Sequence, residues 1–262
     1  MPGNLTPLLP MLSGASRTEG KKMSNGTAIA ILGAKGGVGT TTVAANLAAA
    51  LTQDSERSVL LLDLNLFLGD VGLHVGIEAQ PTVMQWMLGS EETNNKDDIA
   101  THPLGFRVLG LASDLSDAEA VPAEDVLRLL DRMRSYFDVI VVDAGTDLNE
   151  VSLTTCRYAD HRLLVTTEQR PSLIGAKRRL DVLGKLGIPG EVALGVINRA
   201  HADSGVSPAV VKQAIGLSVI ARIRNAWADN QEALASQKLL IEHCPDADVT
   251  HDYTQIVRHM RY

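Results

Sequence analysis

From residue 28 onward the chain is punctuated by six short, almost continuous aliphatic runs: Ala28–Leu32, Val59–Leu62, Val139–Val142, Leu163–Val165, Val192–Ile197 and Val219–Ile223. Runs of this length without polar alternation suit parallel strands covered on both faces. Between them the apolar spacing changes to three and four. Val43, Leu47 and Leu51 follow the first run, Val126, Leu129, Leu130 and Met133 precede the third, and Leu173, Ala176, Leu180 and Leu183 follow the fourth. Strand and helix periods alternating in this way predict right-handed βαβ crossovers. The fold class is α/β: a doubly wound, mostly parallel sheet with helices on both faces. Two segments fall outside the pattern. In residues 1–24, Pro2, Pro7 and Pro10 break a stretch containing Leu and Met, with no basic region before it. This reads as a leader or linker rather than a signal peptide, and leaves residues 25–262 as one domain. The acidic, Asn-rich stretch from Glu91 to Asp98 reads as a solvated loop.

Composition narrows the function classes. The 262 residues carry a formal net charge of −7 and 3% aromatics. An acidic chain is a poor match for a nucleic-acid backbone, and so few aromatics argue against a stacking platform for single strands. Two cysteines, Cys156 and Cys244, suit a reducing compartment and build no disulfide framework. No apolar run approaches the roughly 20 residues that span a bilayer.

The most informative segment is Gly33-Ala34-Lys35-Gly36-Gly37-Val38-Gly39-Thr40-Thr41-Thr42, between the first strand and an Ala-rich helix. Glycines there let consecutive backbone N–H groups turn inward toward phosphate oxygens, and the helix offers its positive end to the same anion. Thr41 and Thr42 bring hydroxyls to the first turn, one for Mg2+ and one for a phosphate-chain oxygen. The common pattern Gly-x-x-x-x-Gly-Lys-[Ser/Thr] is not met. Ala34 stands at its first position and Thr40 in its lysine slot, so Lys35 is the charge left to compensate.

Lys35-Gly36-Gly37-Val38-Gly39 followed by three threonines resembles the deviant Walker A motif of the MinD/ParA superfamily of P-loop NTPases. With threonine in the lysine slot it looks most like the TadZ/CpaE branch, whose members localise the assembly machinery of tight-adherence pili. The stretch Leu60-Leu61-Leu62-Asp63-Leu64-Asn65-Leu66-Phe67-Leu68-Gly69-Asp70 also resembles that branch, which carries Leu-Asp-Leu-Asp and a nearby Phe-Gly-Asp. By element order the superfamily resemblance extends from about residue 27 to about residue 240. It implies ATP or ADP with Mg2+ as ligands, and a two-fold homodimer in which Lys35 crosses the interface to the partner's nucleotide.

Asp63 and Asp143 end aliphatic strands, at the edge where open α/β sheets bind ligands. Carboxylates there can hold magnesium-bound water; Asp also ends strands without touching a ligand. The resemblance makes Asp143 the Walker B aspartate and residues 144–150 the second switch. Relatives have Asp-[Ser/Thr]-Pro there, and Gly145 in this chain predicts a looser switch. Asn65 matches a switch position where hydrolysing relatives carry an aspartate that orients water. An amide cannot take a proton from water or supply negative charge. With no lysine at position 40 either, the expectation is nucleotide binding with weak or absent hydrolysis.

Val196-Ile197-Asn198-Arg199 resembles the family's Val-x-Asn-Arg signature. It implies an adenine edge read by Asn198, with Arg199 stacking on the base or facing a partner. Where relatives place Ile-Pro-x-Asp, this chain has Ile223-Arg224-Asn225-Ala226, which removes the expected base contact from that loop. Lys177, Arg178 and Arg179 read as a solvated helix face. Tyr253, Ile256, Val257 and Met260 share a helical stripe similar to the membrane-targeting helix of MinD proteins, but too short, and are assigned to docking on the protein's own core.

The expected function is therefore that of a cytoplasmic, nucleotide-binding, dimerising protein, at a cell pole or membrane surface, that marks where a tight-adherence pilus or secretion machine assembles. Its partners would be a second copy, assembly proteins and a polar receptor, with DNA unlikely. The alternatives are an active ParA/MinD-type ATPase that positions DNA or the division septum, and a scaffold that binds no nucleotide.

Overall fold

Five of the six aliphatic runs lie in strands throughout, and so do residues 193–197 of the remaining one. The computed structural model describes residues 26–54, 56–66, 69–89, 95–111, 121–188 and 193–260. The leader at 1–24, Phe67, Leu68, residues 91–94 of the acidic stretch and Val192 lie outside them. Among the described residues the strands are β1 (Thr27–Gly33), β2 (Val59–Asp63), β3 (Ala100–Thr101), β4 (Arg107–Leu109), β5 (Val139–Asp143), β6 (His161–Thr166), β7 (Ala193–Ala200) and β8 (Ser218–Arg224). They form one sheet in the order β3-β4-β2-β5-β1-β6-β7-β8, parallel throughout except for the β3–β4 pair. The pattern of apolar residues missed β3 and β4 because two residues, Ala-Thr, and three, Arg-Val-Leu, are too short to display a period.

The helices are α1 (Thr40–Asp54), α2 (Val71–His74), α3 (Val83–Leu88), α4 (Ala123–Tyr136), α5 (Glu150–Tyr158), α6 (Arg170–Lys185), α7 (Pro208–Ile215), α8 (Trp227–Ala235), α9 (Leu240–His243) and α10 (Asp248–His259). They cover both faces, and successive strand residues divide between them. Ile29, Ile31, Leu61 and Val141 pack with α1 and α10. On the other side Leu60, Leu62, Ile140 and Val142 meet α4, while Leu32 and Leu164 meet α5 and α6. No helix among the described residues is long and apolar enough to cross a membrane.

Helix α1 is buried well beyond its expected stripe: every residue from Val43 to Leu51 is inaccessible. Five of these nine are alanines, whose small side chains let the sheet, α9 and α10 approach closely. Asn46, the one polar member, is fully employed. Its Nδ2 donates to Thr42 O at 2.9 Å, and its Oδ1 accepts from the backbone N–H of Ile241 at 3.0 Å. This fixes the helix that follows the phosphate loop.

Tyr253, Ile256, Val257 and Met260 are buried in the same cluster, so the C-terminal stripe docks on the core as expected. Asp252 fastens α10 to the sheet, accepting from the backbone N–H of Arg224 at 2.9 Å and from its Nε at 2.8 Å. Asp248 pairs with the same guanidinium from an exposed position. Asp252→Ala should cost about 2 kcal/mol in denaturant unfolding, since it strands a backbone donor and opens a charged pair. Asp248→Ala should cost less than about 1 kcal/mol. Equal effects would contradict this division.

Candidate functional site

The sheet reverses its winding at β1: the chain moves to one side to form β2 and, after β5, to the other to form β6. A crevice at the carboxyl ends of the strands follows from that reversal, and the glycine-rich loop lies there. Its root is anchored on both sides, Gly33 N–H donating to Gly145 O at 2.9 Å and Ala34 N–H to Val165 O at 2.8 Å. Gly37 and Gly39 take positive φ values of 78° and 89°. At Gly39 a side chain is also sterically barred, because a Cβ would lie 2.4 Å from Asn198 Nδ2. That amide donates to Val38 O at 2.9 Å, so β7 holds the loop from beneath. Lys35, Gly36 and Gly37 form an exposed tip, and the first N–H groups of α1 have no intrahelical partner. This is the geometry of an anion cradle.

Two carboxylates stand behind it. Register pairing sets Asp63 directly opposite Asp143, and both are fully buried. Asp143 accepts the Thr41 hydroxyl at 2.6 Å and the Gly145 N–H at 3.0 Å; Asp63 accepts the N–H groups of Asn65 at 3.0 Å and Val71 at 3.2 Å. Burial, with the Asp143 charge next, pushes the Asp63 carboxyl up to about 8. Burial also raises Asp143, against the pull of its bonds to Thr41 and Gly145. Two buried carboxyls whose charged forms burial disfavours, beside a hydroxyl at the foot of the loop, fit a divalent cation: its charge would favour those ionised forms.

The sign of the pH effect follows. A carboxyl raised above its unfolded value near 4 contributes stability that is complete below that value and lost as pH climbs through the folded one. In chelator, the melting temperature should therefore fall between pH 5 and pH 8.5, and Asp143→Asn should flatten the fall. A melting temperature that rises across this range in both proteins would refute the assignment.

The turn after β5, at Gly145, is tighter than its sequence suggested. Gly145, at φ 67°, is hydrogen-bonded through both its N–H and its carbonyl. A Cβ on it would lie 2.6 Å from Asn65 Oδ1, so the turns after β2 and β5 are in direct contact and glycine permits the approach. The expectation of looseness is corrected: the missing side chain is filled by a neighbour. Arg179 also departs from its expected role. Lys177 and Arg178 are exposed, but Arg179 is half-buried and donates to Thr146 O, linking α6 to the turn after β5.

Thr40 is buried, with its hydroxyl against Gly33; a Cβ there would come within 2.3 Å of Oγ1. No cation replaces the absent loop lysine at that position. Asn198 and Arg199 do come to the loop. Arg199 has φ 55°, its N–H donates to Asn198 Oδ1 at 3.0 Å, and its guanidinium lies 4.8 Å from the centre of the Trp227 ring. The Asn198 amide thus keeps one N–H and one acceptor lone pair for another partner. A cleft of about 400 Å³ beside the loop is lined by Lys35, Gly36, Gly37, Val38, Arg199 and Trp227, among others. Trp227 escaped the sequence reading because it carries no motif; its one signal is its place just after Asn225-Ala226, where the resemblance to relatives breaks down.

A family model described as AAA domain, AAA_31, matches residues 26–187. An uncharacterized ATP-binding protein of Methanocaldococcus jannaschii is 31% identical over 178 residues, covering 68% of this chain and 66% of that protein, a little under two thirds of its length. The crystal structure of a ParA family ATPase from Chlorobium tepidum superposes with a TM-score of 0.81 at 22% identity, over 89% of this chain and 99% of that one. The septum site-determining protein MinD of Pyrococcus horikoshii, complexed with Mg-ADP, gives 0.76 at 20% identity, over 89% and 95%.

Proposed function

The chain belongs to the AAA domain family AAA_31, within the MinD/ParA superfamily of P-loop ATPases, and we propose that it is a nucleotide-operated positioning switch that hydrolyses ATP slowly or not at all. The observation that carries this reading is the composition of the cradle. The loop, Thr41, Asp63 and Asp143 keep what binding requires, while the positions suited to stabilising and attacking a phosphoryl group hold Thr40 and Asn65. Backbone N–H groups from Lys35 to Thr42 would receive the phosphates, Asn198 and Arg199 the adenosine, and Thr41, Asp63 and Asp143 the magnesium shell. Magnesium, when bound, neutralises charge on the phosphate oxygens. Thr41 and Asp143 hold the metal side of the cradle in place, and Asn65 offers only an amide where water would be oriented. The magnesium-bound state of the Pyrococcus horikoshii relative supports the ligand pair.

Residues 25–262 would act as one unit, as a homodimer with Lys35 of each copy reaching across to the other's nucleotide. The finer role, marking the assembly site of a tight-adherence pilus or secretion machine at a pole or membrane surface, is supported by threonine in the lysine slot and by the Asp63-Leu64-Asn65 stretch. A second reading, an active positioning ATPase, is favoured by the retained Thr41–Asp143 pair and by likeness to ParA and MinD structures. The charge of −7 weighs against DNA as the track. Light scattering on a sizing column tests the switch. Mass should double with ATP and Mg2+ and return to that of the monomer in chelator; a mass indifferent to nucleotide would overturn it.

A further inference from the structure

We propose that Trp227 is the seat of the nucleobase: a purine entering the cleft stacks on the indole and takes the place the Arg199 guanidinium now holds. This rests on the nucleotide-binding reading above and adds the residue that selects a base over bare phosphate. Trp227 is 53% exposed, and it is the aromatic member of the exposed large apolar side chains among the described residues, beside Leu73, Ile174, Val182 and Val210. Leaving an indole in water is unfavourable unless something covers it.

Its position says what would do so. Trp227 opens α8 and lines two adjoining hollows, one floored by the phosphate loop from Lys35 to Val38, the other bounded by Thr42 and Asn198. The ring therefore stands across from the anion cradle, at the side where a nucleoside attached to cradled phosphates must lie. Asn198, Asn225 and Asn230 line the second hollow with it, and their amides suit a heterocycle's edge.

The guanidinium over the ring points the same way. It is a flat cation on a π-face, a weaker companion in water than a stacked base. It is carried by a residue in the left-handed region, where a side chain other than glycine's is strained. Such strain, next to a ligand cradle, suits a residue that changes partner on binding. Displaced from the ring, Arg199 is free to meet the ribose or phosphates of the same nucleotide. The loop that lacks Ile-Pro-x-Asp thus supplies a base contact two residues farther along.

The chain's other tryptophan, Trp86, is 1% exposed and packs with α4 on the opposite face of the sheet, which gives an internal control. Tryptophan emission should quench on adding ATP with Mg2+, and the quench should vanish in Trp227→Leu. By calorimetry, Trp227→Leu should weaken ATP about tenfold and Trp227→Phe much less, with inorganic tripolyphosphate bound equally by all three proteins. ATP bound equally well by wild type and Trp227→Leu would overturn the base seat while leaving nucleotide binding intact. Loss of tripolyphosphate binding in Trp227→Leu would overturn it too, by making Trp227 a support for the loop. Wild-type protein that binds neither ligand would overturn the nucleotide reading itself.

Discussion

Gly39→Ala is expected to weaken MgATP at least about a hundredfold and to leave the protein folded. Two effects combine at this position. An L-residue at φ 89° is strained, at a cost of about 1–3 kcal/mol. The added methyl also drives into Asn198 Nδ2, whose bond to Val38 O is what holds the loop to β7. The alternatives for the chain are to flip the loop or to expel Asn198, and either dismantles the cradle. Gly36 is the contrast: nothing lies within 4 Å of its added Cβ, so Gly36→Ala should leave the melting temperature unchanged. Calorimetric titration of the Gly39 variant reads the first effect, and thermal unfolding of the pair reads the second. A Gly39→Ala protein that binds MgATP normally would mean that the loop is not the anion site.

Thr40→Lys combined with Asn65→Asp should raise ATP turnover by about a hundredfold, the size of effect seen when a donor aimed at developing charge is gained or lost. Neither change alone should do so. Asn65 lies against Gly145, hydrogen-bonded to Asp143, and its backbone N–H is bonded to Asp63. A lone Asn65→Asp therefore adds a third carboxylate to a buried acidic group already reluctant to ionise, and should lower stability. A lone Thr40→Lys supplies charge without orienting water. Together the new lysine offsets the new carboxylate, so the pair should be strongly non-additive. Coupled-assay rates for wild type and the three variants check this. Fast magnesium-dependent turnover by the wild type would remove the premise.

The sheet could be read from the chain because its buried parallel strands are continuous aliphatic runs, and the loop because glycine and threonine have few other uses between a strand and a helix. Asp63 and Asp143 were legible for the same reason: an acid ending an aliphatic run is conspicuous. What escaped was set by tertiary contact. β3 and β4 gain their place from pairing with β2 and each other, not from a pattern of their own. Gly145 looked like freedom and is occupied space, since the side chain it accommodates is 80 residues away in sequence at Asn65. Arg179 looked solvated among basic neighbours, yet faces inward to Thr146. Trp227 owes its meaning to Arg199 and the loop, both brought to it by the sheet.

On the proposed reading, the cradle binds nucleotide through magnesium without rapidly consuming it. Calorimetric titration of the wild-type protein with ATP, in Mg2+ and again in chelator, with the nucleotide recovered afterwards, tests it most directly. The expected result is one saturable site per chain in Mg2+, much weaker binding in chelator, and ATP recovered largely intact. No saturable binding in Mg2+, or recovery mainly as ADP, would contradict it.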